Sequence, residues 1–118
     1  VKQVPDARIV RSIDEMEQRL SDKLTIAELA ASVGLSTSRF AHLFRLTTGL
    51  SPVRYLHELR MSRAQDLLQT TTLPVGTVMR RVGWSDPSHF SKAFRRRFGV
   101  GPRECRHGRA AAVEPPSQ

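Results

Sequence analysis

Three features of the 118-residue sequence predict an all-α fold of about seven helices. Apolar residues recur at three- and four-residue intervals, the spacing of one helix face. Gly and Pro interrupt these stretches repeatedly, where helices must stop and start. A helix–Gly turn–helix pattern also occurs twice: Leu29, Val33, Gly34 and Ser36 return 49 positions later as Val78, Val82, Gly83 and Ser85. Phe40, Phe44, Gly49 and Pro52 return 50 positions later as Phe90, Phe94, Gly99 and Pro102. No segment carries the turn-bounded alternation of a strand.

Asp6 is placed to cap a first helix whose Ile9, Ile13, Met16 and Leu20 form one stripe, ending at Ser21-Asp22. Thr25 opens the second helix, and Glu28 completes a capping box. Ile26, Leu29, Ala30 and Val33 are its buried side, and Gly34 ends it in a turn that favours positive φ. Ser36 caps a third helix with Phe40, Leu43 and Phe44 inward, and Gly49 breaks it. Pro52 starts a fourth helix of about 18 residues, roughly 27 Å of axis. Val53, Leu56, Arg60, Ala64, Leu67 and Leu68 keep its helical spacing. The β-branched Thr70-Thr71-Thr72 suits a connector. Pro74 begins a fifth helix with Val75, Val78, Met79 and Val82, and Gly83-Trp84-Ser85 turns the chain. Asp86 or Ser85 caps a sixth helix in which Phe90, Phe94 and Phe98 face the core. A short seventh helix follows Gly101-Pro102. The predicted organisation is therefore a first unit at 1–49, a linker helix and connector at 50–72, a second unit at 73–107, and a disordered tail at 108–118.

Composition excludes several classes. No apolar run approaches the roughly 18 residues of a membrane span, and the N-terminus lacks the pattern of a signal peptide. A single cysteine, Cys105, forms no internal disulfide, which suits a reducing cytoplasm and a structural thiol. With no His-x₃₋₅-His spacing, His42 and His89 assemble no metal site, and no cofactor is expected. Trp84 and the helically spaced Phe residues belong to the core rather than to a base-stacking platform. The net charge of +8 is unevenly spread: residues 1–33 carry −1, whereas residues 79–109 carry +7. Such a field favours a polyanionic partner, although a solvated basic face has the same signature.

The duplication separates those two cases. Two short helices around a Gly turn form a helix-turn-helix unit, whose second helix enters the major groove of DNA. Two copies are too few for a packing solenoid, and both second helices carry basic or hydrogen-bonding outward faces. A stiff fourth helix is suited to holding two such helices near one DNA turn apart, roughly 34 Å. The sequence resembles the DNA-binding domain of the AraC/XylS transcriptional regulators over roughly residues 6–107. Leu24-Thr25-Ile26, Val33-Gly34-Leu35-Ser36, Gly49-Leu50-Ser51-Pro52, Arg60-Met61, Val82-Gly83-Trp84-Ser85-Asp86, Ser88-His89-Phe90-Ser91 and Phe98-Gly99-Val100 carry the match. Met79, Gly101 and Cys105 depart from the usual small Ala, Ser or Thr, and Tyr of the family. A long side chain at Met79 puts the helix packing of the second unit in question.

On the third helix the outward positions are Thr37, Ser38, Ala41, His42 and Arg45. The resemblance implies that Ser38, Ala41 and His42 meet bases: His42 by hydrogen bonding, Ala41 against a thymine methyl, Ser38 through water. Arg39 bends either to base edges or to phosphate. Arg45 and Thr37 suit phosphate, a contact that positions without specifying. Pro87, Ser88, Ser91 and Lys92 fill the corresponding slots of the sixth helix, with Lys92 the candidate for guanine and Pro87 offering shape alone. Arg95 and Arg96 are expected on phosphate with Ser85, and Arg97 is a weaker candidate. His89 has two readings, packing or phosphate. Free N–H groups at the starts of both helices would add to the phosphate contacts.

A transcription regulator, more an activator than a repressor by family resemblance, is thus expected, with double-stranded DNA and RNA polymerase as partners and no membrane. The absent starting Met and the Pro-rich tail suggest the C-terminal domain of a longer protein. Any small-molecule effector would act through a domain outside this chain. Two other readings stand beside it: the same module attached to an enzyme, and a helical adaptor whose basic face meets an acidic protein. The chain itself is not expected to be an enzyme, since it holds no phosphate-cradling Gly loop, acid pair or triad.

Overall fold

The computed structural model describes residues 5–107. Seven helices follow one another, with no strand among the described residues: α1 (Ala7–Gln18), α2 (Ile26–Ser32), α3 (Thr37–Thr48), α4 (Pro52–Thr70), α5 (Val75–Arg81), α6 (Pro87–Phe98) and α7 (Pro102–His107). The tail expected to be disordered, 108–118, lies outside the described residues. Two compact units divide the chain, Val1–Leu59 and Arg60–Gln118, and the division falls inside α4.

In the first unit, α1, α2 and α3 pack against one another. Asp6 caps α1 by accepting the Arg8 N–H at 2.9 Å. The Arg8 guanidinium beside it holds the Asp6 carboxyl down to about 2. Ile9, Met16 and Leu20 of the predicted stripe are buried, with Ile13 half-buried. Ser12 lies fully buried among them, where its Oγ donates to the Ile9 carbonyl at 2.7 Å. That bond lets a hydroxyl enter the core without an unsatisfied polar group. Both halves of the Thr25–Glu28 capping box form. Ser32 Oγ, at the end of α2, donates to Glu15 Oε1 of α1 at 2.9 Å. Leu29, Ala30, Val33, Phe40 and Phe44 fill the centre, and Tyr55 meets Phe44 edge-on at 5.3 Å between ring centroids.

The second unit buries Met61, Ala64 and Leu68 of α4 with Val78, Met79, Val82, Phe90, Phe94 and Cys105. A file of rings runs through it: Trp84–Phe90 at 6.0 Å, Phe90–Phe94 at 5.9 Å and Phe94–Phe98 at 4.6 Å. Trp84 is half-buried at the start of this file, packed against Phe90. Helix α7 is tied to α4 by Arg106 Nε, which donates to the Leu68 carbonyl at 3.2 Å, and by Gln69, whose Nε2 lies 3.7 Å from Cys105 Sγ. Burial pushes the Cys105 thiol up, as expected of an unreactive structural cysteine.

Both turns have one geometry. Gly34 and Gly83 sit at φ +74° and +87°, and the next residue returns a hydrogen bond across the turn: Leu35 to Ala30 at 2.9 Å, Trp84 to Met79 at 3.0 Å. Met79, buried at the position that Ala30 holds in the first unit, therefore leaves the backbone of the turn intact. Several packing expectations need correction: Ile26, Leu43, Leu67 and Val75 are half-buried rather than enclosed. Val53 is 64% exposed, because Pro52 rather than Val53 takes the buried position at the start of α4. Met61 is fully buried although the periodicity favoured its neighbour Arg60, which is half-buried. Phe98, the last residue of α6, is half-buried rather than enclosed.

Candidate nucleic-acid interface

Each second helix of a pair is fixed on its inner face by two phenylalanines, so its outer face is determined by rotation alone. A helix turns about 100° per residue. With Phe40 and Phe44 inward, Ser38, Ala41, His42 and Arg45 fall on one outward stripe, and Arg39 flanks it. With Phe90 and Phe94 inward, Ser88, Ser91, Lys92 and Arg95 fall on the equivalent stripe, flanked by His89 and Arg96. Thr37, Ser38, Arg39, His42 and Arg45 are all exposed; Ala41 is half-buried. Ser85, Pro87, Ser88, His89, Ser91, Lys92, Arg95 and Arg96 are all exposed as well. His89 is exposed, which disfavours the packing reading for it. Arg97 instead lies over the Phe98 ring, 4.8 Å from its centroid.

Ser36 caps α3 as expected, whereas the start of α6 differs from expectation. Ser36 Oγ accepts the Arg39 N–H at 3.2 Å, and Asp86 Oδ1 accepts from Ser88 N at 2.9 Å and His89 N at 3.2 Å. Of the two caps left open for α6, Asp86 is the one used. Pro87 has no N–H, so the first turn of α6 offers a carboxylate-capped end rather than free amides to an anion. Electrostatic attraction in this unit then falls to side chains.

One residue was missed from sequence. Glu104, in the first turn of α7, accepts the Gly101 N–H at 2.7 Å through Oε1, and the same oxygen lies 3.3 Å from Arg95 Nη1. The bond from Gly101 and the nearby Arg95 charge hold the Glu104 carboxyl below its usual range. Both side chains stay about three-fifths exposed. Ser91, Arg95, Gly101 and Glu104 line a common cleft of about 450 Å³ with the apolar Met79 and Phe90 beneath them. Glu104 completes half a capping box, but Gly101 has no hydroxyl to complete the other half, which hides the pattern in the sequence.

A helix pair in each unit, its second helix presenting an outward stripe that ends in Arg, defines a tandem helix-turn-helix DNA-binding domain. Residues 11–108 match the helix-turn-helix domain family. The chain is 38% identical over 104 residues to the arabinose operon regulatory protein of Salmonella typhimurium, an alignment covering 87% of this chain and 37% of that protein. Among solved structures it is similar to an AraC-type DNA-binding regulator from Chromobacterium violaceum, with 31% identity, a TM-score of 0.79, and 92% and 95% of the two chains covered. It is also similar to the DNA-binding domain of the global transcriptional factor AdpA in complex with a target DNA, with 28% identity, a TM-score of 0.82, and 93% and 98% covered. The chain belongs to the AraC/XylS family of helix-turn-helix transcription regulators. It spans a little over a third of the length of the curated relatives it matches.

Proposed function

We propose that the chain reads a bipartite DNA site, with α3 and α6 in successive major-groove segments, as the DNA-binding part of a transcription activator. The observation that carries this is the duplicated outward stripe: Ser38, Ala41, His42 and Arg45 in one unit, Ser88, Ser91, Lys92 and Arg95 in the other. Within each stripe the residues nearest the helix start suit base edges, and the arginine a turn later suits phosphate. Ser38, Arg39, Ala41 and His42 then discriminate one half-site; Pro87, Ser88, Ser91 and Lys92 discriminate the second. Lys92 favours guanine O6 and N7, and His42 donates to guanine or accepts from a base amino group. Thr37, Arg45, Ser85, His89, Arg95 and Arg96 set register on phosphate.

RNA polymerase is the further partner of an activator. A small-molecule effector acts through a sensing domain outside this chain, and the place of action is the cytoplasm. The chain contributes no catalysis. No helix among the described residues is long and apolar enough to cross a membrane. The test is selection of bound sequences from random duplexes, followed by titration across salt. Enrichment of two short half-sites about one helical turn apart is expected. Weak uniform binding that disappears in moderate salt would instead favour an acidic-protein adaptor.

A further inference from the structure

The internal repeat provides a comparison within one molecule. Fifty positions separate Arg45 from Arg95, Ser51 from Gly101 and Arg54 from Glu104. In the first unit Ser51 Oγ caps α4 by accepting the Arg54 N–H at 3.2 Å, and the residue standing in Glu104's place is a cation. In the second unit that place holds a carboxylate, fixed by the Gly101 N–H at 2.7 Å and 3.3 Å from Arg95. Gly101 makes room for the pair: a Cβ there would lie 2.9 Å from Arg95 Nη2 and 3.2 Å from Glu104 Oε1. A serine or threonine at position 101 would push the guanidinium away.

We propose that Glu104 restrains Arg95 and so weakens the second unit's grip on non-cognate DNA, making Glu104 a specificity-determining residue that touches no base. The proposal rests on the assignment of Arg95 to phosphate. Binding driven by charge alone depends on how many cations are free to displace counterions from DNA. Glu104 neutralises one of them on the recognition side of α6. In a cognate complex, base contacts fix the register, and a guanidinium with five N–H donors bridges carboxylate and phosphate together. In a loosely held complex it must leave the carboxylate first. An exposed pair of this kind is weak enough to exchange.

The experiment is a titration of Glu104→Gln against a random duplex and against the selected operator, over a range of salt. Gln keeps an acceptor for the Gly101 N–H, so the start of α7 is retained, which a thermal melt checks. Random-duplex affinity should rise about fivefold, the effect of a released Arg95 charge about 4 Å from a phosphate in a water-like dielectric. The salt slope should steepen by about one unit. Operator affinity should rise less, so discrimination falls. Gly101→Ala, which displaces Arg95 without altering charge, should move binding in the same direction. Most of the Glu104→Gln gain, and all of the Gly101→Ala gain, should be lost in an Arg95→Ala background. Random-duplex binding no tighter than wild type, or a gain that persists in full without Arg95, would overturn the proposal while leaving Arg95 on phosphate. An Arg95→Ala variant with an unchanged slope would instead remove the phosphate assignment and the proposal with it.

Discussion

Adding one methyl group at two glycines of the second unit should move stability in opposite directions. Gly99 ends α6 at φ +84°, and its N–H closes the last turn on the Arg95 carbonyl at 2.7 Å. A Cβ built there meets nothing within 4 Å, so Gly99→Ala tests backbone conformation alone. The left-handed region costs an L-residue about 1–2 kcal/mol, and the lower entropy of the unfolded chain returns about 0.4–1 kcal/mol. Gly99→Ala should therefore destabilise by about 0.8 kcal/mol, the difference of the two midpoints. Gly76 lies within α5 without positive φ, and a Cβ there would make an ordinary contact with Arg80 Nη1 at 3.5 Å. Gly76→Ala should stabilise by about 0.5–1 kcal/mol. Urea denaturation followed by far-ultraviolet circular dichroism measures both. Melting points should separate by several degrees, at about 4–8 °C per kcal/mol for a small domain. A Gly99→Ala protein as stable as wild type, or a Gly76→Ala protein less stable, would refute this account of the helix ends.

Phe44→Ala removes a fully buried ring from the first unit and should cost about 3–5 kcal/mol in the same denaturation experiment. Thr25→Ala removes one side of the capping box and should cost about 1 kcal/mol, whereas Thr25→Ser should cost less. Asp6 gives a pH dependence whose sign follows from its depressed carboxyl. Its contribution is fully present above the ordinary value of 3.8 and is lost as pH falls through about 2. Asp6→Asn, which keeps a capping oxygen, should flatten stability over that acid window, and an unchanged acid profile would contradict the assignment.

Helices and their ends were legible because each signal is local. Thr25 with Glu28, Pro52, Pro87 and the turn glycines act through neighbours a few residues away, and the structure uses each of them. Side-chain burial on α4 was less legible, because its periodicity does not specify which residues each unit covers. Val53, expected inward, is exposed, and Met61, which the spacing did not include, is buried. Ser12 is fully buried without any local signal in the sequence, and its bond to the Ile9 carbonyl accounts for that burial. At the interface the outward stripes followed from the phenylalanine spacing. The bond between Glu104 and Gly101 did not, since a glycine replaces the hydroxyl that usually signals a capping box. The amides at the start of α6 were likewise expected to be free, but the Asp86 carboxylate that caps the helix accepts from them.

The most direct measurement is a repeat of the binding-site selection with His42→Ala and, separately, Lys92→Ala. Each variant should lose base preference in its own half-site and retain it in the other. If both variants selected the wild-type sequence with uniformly weaker binding, α3 and α6 would not be reading bases.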